Sequence, residues 1–170
     1  MRLALKPFGS VDPQVLDYLQ REVPLFESIQ IVGQGPVPKD SVDKQHLQFR
    51  ASGFFDACAD VDSDRVLAVT DVDLFEDGLS FVFGFAEKPG RVAVISTARL
   101  RTADDDRFLE RALKEAVHEL GHTFGLDHDE GRPGCVMKFS RTLADTDRKS
   151  REFCPTCQRE IRARATPLRT

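Results

Sequence analysis

The eleven residues HELGHTFGLDH, His118 to His128, contain three of the chain's four histidines, with a glutamate directly after the first. On a helix His118 and His122 lie four apart, so both imidazoles project from one face about one turn apart, close enough to grip a single metal ion. Glu119 occupies an adjacent part of the same helix and can reach a water on that ion without being a ligand. Gly125 permits a sharp turn with positive φ, which brings the chain back so that His128 supplies a third nitrogen. Three neutral nitrogens leave one tetrahedral position open, the arrangement of a catalytic rather than a structural zinc. Glu119 is then placed to take a proton from water attacking a peptide carbonyl. The same histidines read as metal-free surface residues would leave both the glutamate and the glycine unexplained.

A helix must carry this motif. The stretch TADDDRFLERALKEAVHELGHTFG places Phe108, Leu109, Ala112, Leu113, Ala116, Val117, Leu120 and Phe124 on one apolar stripe. Thr102 is the expected N-cap, with Asp105 three residues on. Asp104 to Asp106 then favour the positive end of the dipole, and Gly125 supplies the stop. Upstream, RLALK (2–6), IQIVG (29–33), HLQFRA (46–51), RVLAVTDVDLF (65–75), SFVFGFA (80–86) and RVAVIST (91–97) read as strands, several of them rich in Val, Ile and Phe. Asp12 before Pro13 starts a helix whose apolar face is Val15, Leu16, Leu19 and Val23. A mixed sheet covered by helices fits this order better than a sandwich or a bundle. SFVFGFA can be an edge strand along which an extended peptide pairs, or simply a core strand.

Composition bounds the class. The chain has 170 residues and is 41% hydrophobic, enough for one domain with a full core. The net charge is −4, while residues 138–170 hold nine Lys/Arg against four Asp/Glu. No long apolar run and no signal-like start are visible, so the expectation is a cytoplasmic chain without a membrane segment. Three of four cysteines fall in residues 135–157, a poor disulfide framework but a good intracellular metal cluster. Asparagine is absent and 31% of residues are charged, which hints at a thermophilic source.

The extended spacing HExxHxxGxxH with Met137 downstream is the pattern of the metzincin peptidases. HELGHTFGLDH, GCVMKFSRTL and DRKSREFCPTC, with TDVDLF and FVFGFA upstream, together resemble the archaemetzincins over roughly residues 65–160. The resemblance implies an α+β fold: a compact single domain over 1–170 with a mixed twisted sheet and active-site helix in 1–125. A C-terminal subdomain, 126–170, would carry a Met-turn at Met137 and a second, cysteine-held zinc beside the catalytic one. That family places a cysteine directly after the third histidine; here the position is Asp129. Cys135, Cys154 and Cys157 remain, and either water or the Asp129 carboxylate, a permissible zinc ligand though weaker than a thiolate, can complete a zinc site with them. A vacant site or a Cys154–Cys157 disulfide stays open as the alternative.

The expected activity is zinc-dependent hydrolysis of peptides or proteins by a monomer. The alternative is a catalytically silent zinc protein that binds peptides or partners on the same scaffold. Nucleic acid is not an expected partner, since only one CxxC knuckle exists and few aromatics surround it. Cys58 reads as a small buried residue, His46 as structural or exposed, and the basic stretch Arg159 to Arg169 as a solvated face.

Overall fold

The computed structural model describes residues 1–165. Its elements run β1 (Arg2–Phe8), α1 (Pro13–Glu22), β2 (Ser28–Ile31), β3 (Val42–Asp43), β4 (Gln48–Arg50), α2 (Gly53–Asp56) and β5 (Arg65–Thr70). They continue with β6 (Leu74–Glu76), β7 (Leu79–Val82), β8 (Gly84–Ala86), β9 (Val92–Ser96), α3 (Asp105–Thr123), α4 (Leu143–Arg148) and α5 (Pro155–Arg164). Five strands form one sheet in the order β2-β1-β5-β9-β8, and four form a smaller one in the order β3-β4-β6-β7.

Strand periodicity explains the layering. Leu3, Leu5, Leu67, Val69, Ala93 and Ile95 point to one face of the large sheet and join the core made with α1 and α3. Their alternates Val66, Ala68, Val92 and Val94 point to the other face, where Phe8, Phe54, Cys58 and Leu74 cover them. Every residue of β5 and β9 is therefore buried, as expected of parallel strands covered on both sides. Only β8 runs antiparallel, pairing Gly84 with Ile95 and Ala86 with Ala93, and it forms the sheet's last strand.

Two apolar runs that read as single strands are each divided between the sheets. Residues 65–75 break at the Asp71–Asp73 bend into β5 and β6, where the Asp71 carboxylate accepts from the Ser10 amide at 3.2 Å. Residues 80–86 break at Phe83, leaving β7 in the small sheet and β8 in the large one. The strand expected over 46–51 shortens to β4. Asp12 caps α1 as expected, accepting from the Gln14 amide at 2.9 Å. The cap of α3 is Asp104 rather than Thr102: its carboxylate accepts from the Arg107 amide at 3.2 Å, and the helix starts two residues later than a Thr102 cap requires. Cys58 is fully buried and its thiol is pushed up to about 11 by that burial. His46 is exposed, beside Asp43 at 2.8 Å.

Candidate metal centres and cleft

α3 delivers His118, Glu119 and His122 to the cleft, and Gly125, at φ +86°, ends it in a conformation that L side chains rarely adopt. The Gly125 amide donates to the His122 carbonyl at 2.8 Å, and the reversed chain brings His128 back over the helix end. The Nε2 atoms of His118 and His128 each lie 3.2 Å from Nε2 of His122.

That separation is what three ligands on one ion require, because tetrahedral donors at Zn–N distances of about 2.0–2.1 Å sit roughly 3.4 Å apart. Protonation supports the fit. His118 Nδ1 lies 2.8 Å from the Val136 carbonyl and His122 Nδ1 lies 2.6 Å from that of Leu126. A carbonyl only accepts, so each Nδ1 carries the hydrogen and each Nε2 presents a bare lone pair. Burial holds all three imidazoles below their ordinary pKa, His122 at about 4, so they are neutral at neutral pH. Lone pairs facing one another at this distance call for a cation between them.

Glu119 is 6% exposed and lines the same cleft. Burial, aided by the neighbouring charge of Glu115, raises its carboxyl well above the usual range, and Lys149 opposes the shift. Across from it stands β8. A Cβ on Gly84 would meet Glu119 Cγ at 2.7 Å and the Val94 carbonyl at 2.7 Å, so only glycine lets the strand and the glutamate approach this closely. The cleft, about 490 Å³, runs between β7–β8 and α3, with Phe139 and Arg141 along the segment after Met137. Met137 is fully buried against Gly121, on the helix between the two histidines. Phe139 packs its ring 4.9 Å from that of His128.

Asp129, Cys135, Cys154 and Cys157 converge separately. Asp129 Oδ2 lies 3.2 Å from Cys154 Sγ and 3.8 Å from Cys157 Sγ, and the Cys135 and Cys157 sulfurs are 3.8 Å apart. Sulfurs bound tetrahedrally at about 2.3 Å lie roughly 3.8 Å from each other, so this set also suits zinc. Pro155 starts α5, which leaves Cys154 as its N-cap and turns Cys157 back from its first turn. Burial pushes the Cys135 and Cys157 thiols up, so a cation is needed to draw the thiolates out. All four cysteines are unpaired.

Sequence reasoning did not single out Gly84, Glu115, Lys149 or Phe139. Glu115 and Lys149 form an ion pair at 3.3 Å with side chains 4% and 1% exposed, and Thr146 Oγ1 donates to the same Glu115 oxygen at 3.0 Å. The available signal was Glu115 itself, a charge one turn before Glu119. Tyr18 lies elsewhere, donating to Glu110 at 2.5 Å. Arg164, expected to be solvated, donates to the Gly125 carbonyl at 2.8 Å and so caps the end of α3; Arg169 lies outside the described residues. Among the described residues no helix is long and apolar enough to cross a membrane.

Residues 41–163 match peptidase family M54. The archaemetzincin of Pyrococcus furiosus is 39% identical over 175 residues, covering 93% of this chain and 91% of that protein. The crystal structure of archaemetzincin from Methanopyrus kandleri superposes with a TM-score of 0.89 at 37% identity, covering 97% of this chain and 95% of that one. A zinc-dependent peptidase from Methanocorpusculum labreanum gives 0.76 at 29% identity, covering 94% and 99%.

Proposed function

The chain belongs to peptidase family M54, the archaemetzincin family of zinc metallopeptidases, and from this we propose that His118, His122 and His128 hold its catalytic zinc while Glu119 is the general base. The observation that carries the reading is the convergence of three Nε2 atoms, those of His118 and His128 each 3.2 Å from that of His122, with the lone pairs of His118 and His122 bared by Nδ1 hydrogens on backbone carbonyls. Zinc bound there supplies a Lewis acid for the scissile carbonyl and makes a water acidic near pH 7.

The chain's own residues do the rest. Glu119 takes the proton of the attacking water and returns it to the leaving amine. β8 offers backbone groups on the side away from β9, where an extended peptide can pair in line with α3 across the cleft. Gly84 keeps that strand within reach of Glu119. Residues 126 onward act as a subdomain in which Asp129, Cys135, Cys154 and Cys157 hold a second zinc and Met137 backs the active-site helix. The substrate is a peptide or protein segment in extended form.

Two arms test this. Cleavage of a mixed peptide library, read by mass spectrometry, should vanish with a chelator and return with zinc. Glu119→Gln should lower kcat by about 10²–10⁴-fold while zinc content stays unchanged. Undiminished cleavage by that variant would remove Glu119 from the role.

A further inference from the structure

The three imidazoles are not held equally. His118 and His122 are each anchored through Nδ1 to a carbonyl, at 2.8 and 2.6 Å. For His128 no such bond occurs among the described residues; it is exposed, and its aromatic neighbours are the other two imidazoles and Phe139. The groups that orient a ligand by hydrogen bonding typically change metal affinity by about 10–100-fold, so His128 is the ligand whose placement is least secured.

The residue before His128, Asp127, has among the described residues only a solvent-exposed pair with Lys88 at 2.6 Å; the residue after it is tied into the interior. The Asp129 amide donates to the Met137 carbonyl at 3.1 Å, and its Oδ2 reaches into the thiol cluster, 3.2 Å from Cys154 Sγ. Between Asp129 and Cys135 an added Cβ on Gly131 would meet nothing within 4 Å, and the segment's tie to the rest of the fold lies at its far end, where the Ser150 amide donates to the Gly134 carbonyl at 2.7 Å. The cluster reaches a second catalytic ligand as well. Cys135 precedes Val136, whose carbonyl anchors His118, and Met137, which packs against Gly121.

We propose that Asp129 is a positioning residue that couples the two centres: with an ion on the Asp129–Cys135–Cys154–Cys157 cluster, His128 is fixed and the three-imidazole site binds its own ion more tightly. This rests on reading both clusters as metal sites. Coupling of this kind is reciprocal, and a carboxylate in place of a fourth thiolate makes the second cluster easier to empty than an all-thiolate one. Its occupancy then sets the effective zinc affinity of the catalytic site.

The test uses the full chain stripped of metal. One equivalent of Cd²⁺, a soft ion, fills the thiolate cluster and is followed by its sulfur-to-metal absorption. Co²⁺ is then titrated in and read by the d–d bands of an imidazole site. Cd²⁺ should tighten Co²⁺ binding by about 10–100-fold in the unaltered chain; Asp129→Ala should abolish that gain and Asp129→Cys restore it. A purely structural contribution of Asp129 would not respond to Cd²⁺ in one and the same chain. Co²⁺ affinity that stays within about twofold with and without Cd²⁺ overturns the coupling while leaving both sites standing. Absence of an imidazole-type Co²⁺ spectrum in the unaltered chain overturns the metal reading itself, and the coupling with it.

Discussion

Replacing Gly84 by alanine adds one methyl group to β8 and should disable catalysis without touching a metal ligand. The new Cβ would stand 2.7 Å from Glu119 Cγ, 3.0 Å from Glu119 Oε1 and 2.7 Å from the Val94 carbonyl oxygen. Non-bonded carbons rest at about 3.5–4.0 Å, so one partner must retreat by about 1 Å. The Val94 carbonyl belongs to β9, which is held on both sides by β5 and β8, and every residue of that strand is buried. Glu119 therefore moves, or β8 shifts away from it. A displacement of about 1 Å of a group acting on the reacting atoms can cost roughly 10²-fold, and forcing a methylene into a packed site costs about 1–3 kcal/mol of stability. The assay is kcat and KM on a peptide taken from library profiling, with zinc content and urea denaturation measured alongside. Zinc content should be unchanged and kcat should fall about 100-fold. The effect should also be non-additive: in a Glu119→Gln background the same substitution should lower kcat by less than about threefold, because the group it displaces no longer acts. A Gly84→Ala enzyme that keeps half its kcat, or a full additional loss in the Glu119→Gln background, refutes the reasoning.

Other expected outcomes follow from the same geometry. Lys149→Met strands the buried Glu115 carboxylate and should cost about 3–5 kcal/mol in urea denaturation, most of which returns when Glu115→Leu is added; equal losses in the single and double variants would contradict the ion-pair account. Metal-stripped protein should be acid-sensitive through its histidines. Their folded pKa values are depressed, so that stability is present above the unfolded value of 6.5 and is lost as pH falls towards about 4 for His122. Glu119 acts in the opposite sense, its folded value being raised, so the effect is measured in a Glu119→Gln background by denaturation between pH 7 and 4. Adding His122→Phe there should remove about 3 kcal/mol of the loss, and an unchanged pH dependence would count against it. Gly121→Ala places a Cβ against Met137 and 2.9 Å from Phe153 Cε1, and should lower both the unfolding midpoint and zinc affinity, read by competition with a chromophoric chelator.

The sequence by itself determined that His118, Glu119 and His122 share one helix, and which element that helix is. A helical stripe from Phe108 to Phe124, two histidines one turn apart and a glycine that permits positive φ are local facts, governed by 3.6 residues per turn and by backbone sterics. The CxxC spacing at Cys154 and Cys157 is local in the same way. Division of 65–75 and 80–86 between two sheets was not legible, because apolar alternation gives the face of a strand but not its partner. That choice depends on which distant residues, such as Phe54 and Leu74, cover each face. Glu115 and Lys149 are 34 positions apart and meet only because α4 packs on α3. Gly84 reads in sequence as a break in an apolar run; its reason is Glu119, a residue 35 positions away on another element. Tertiary structure decided how closely Asp129, already a candidate from its position, approaches the sulfurs, and that among the described residues His128 lacks the carbonyl anchor of its two companions. Backbone propensities act over a few residues, whereas these contacts are set by the packing of whole layers.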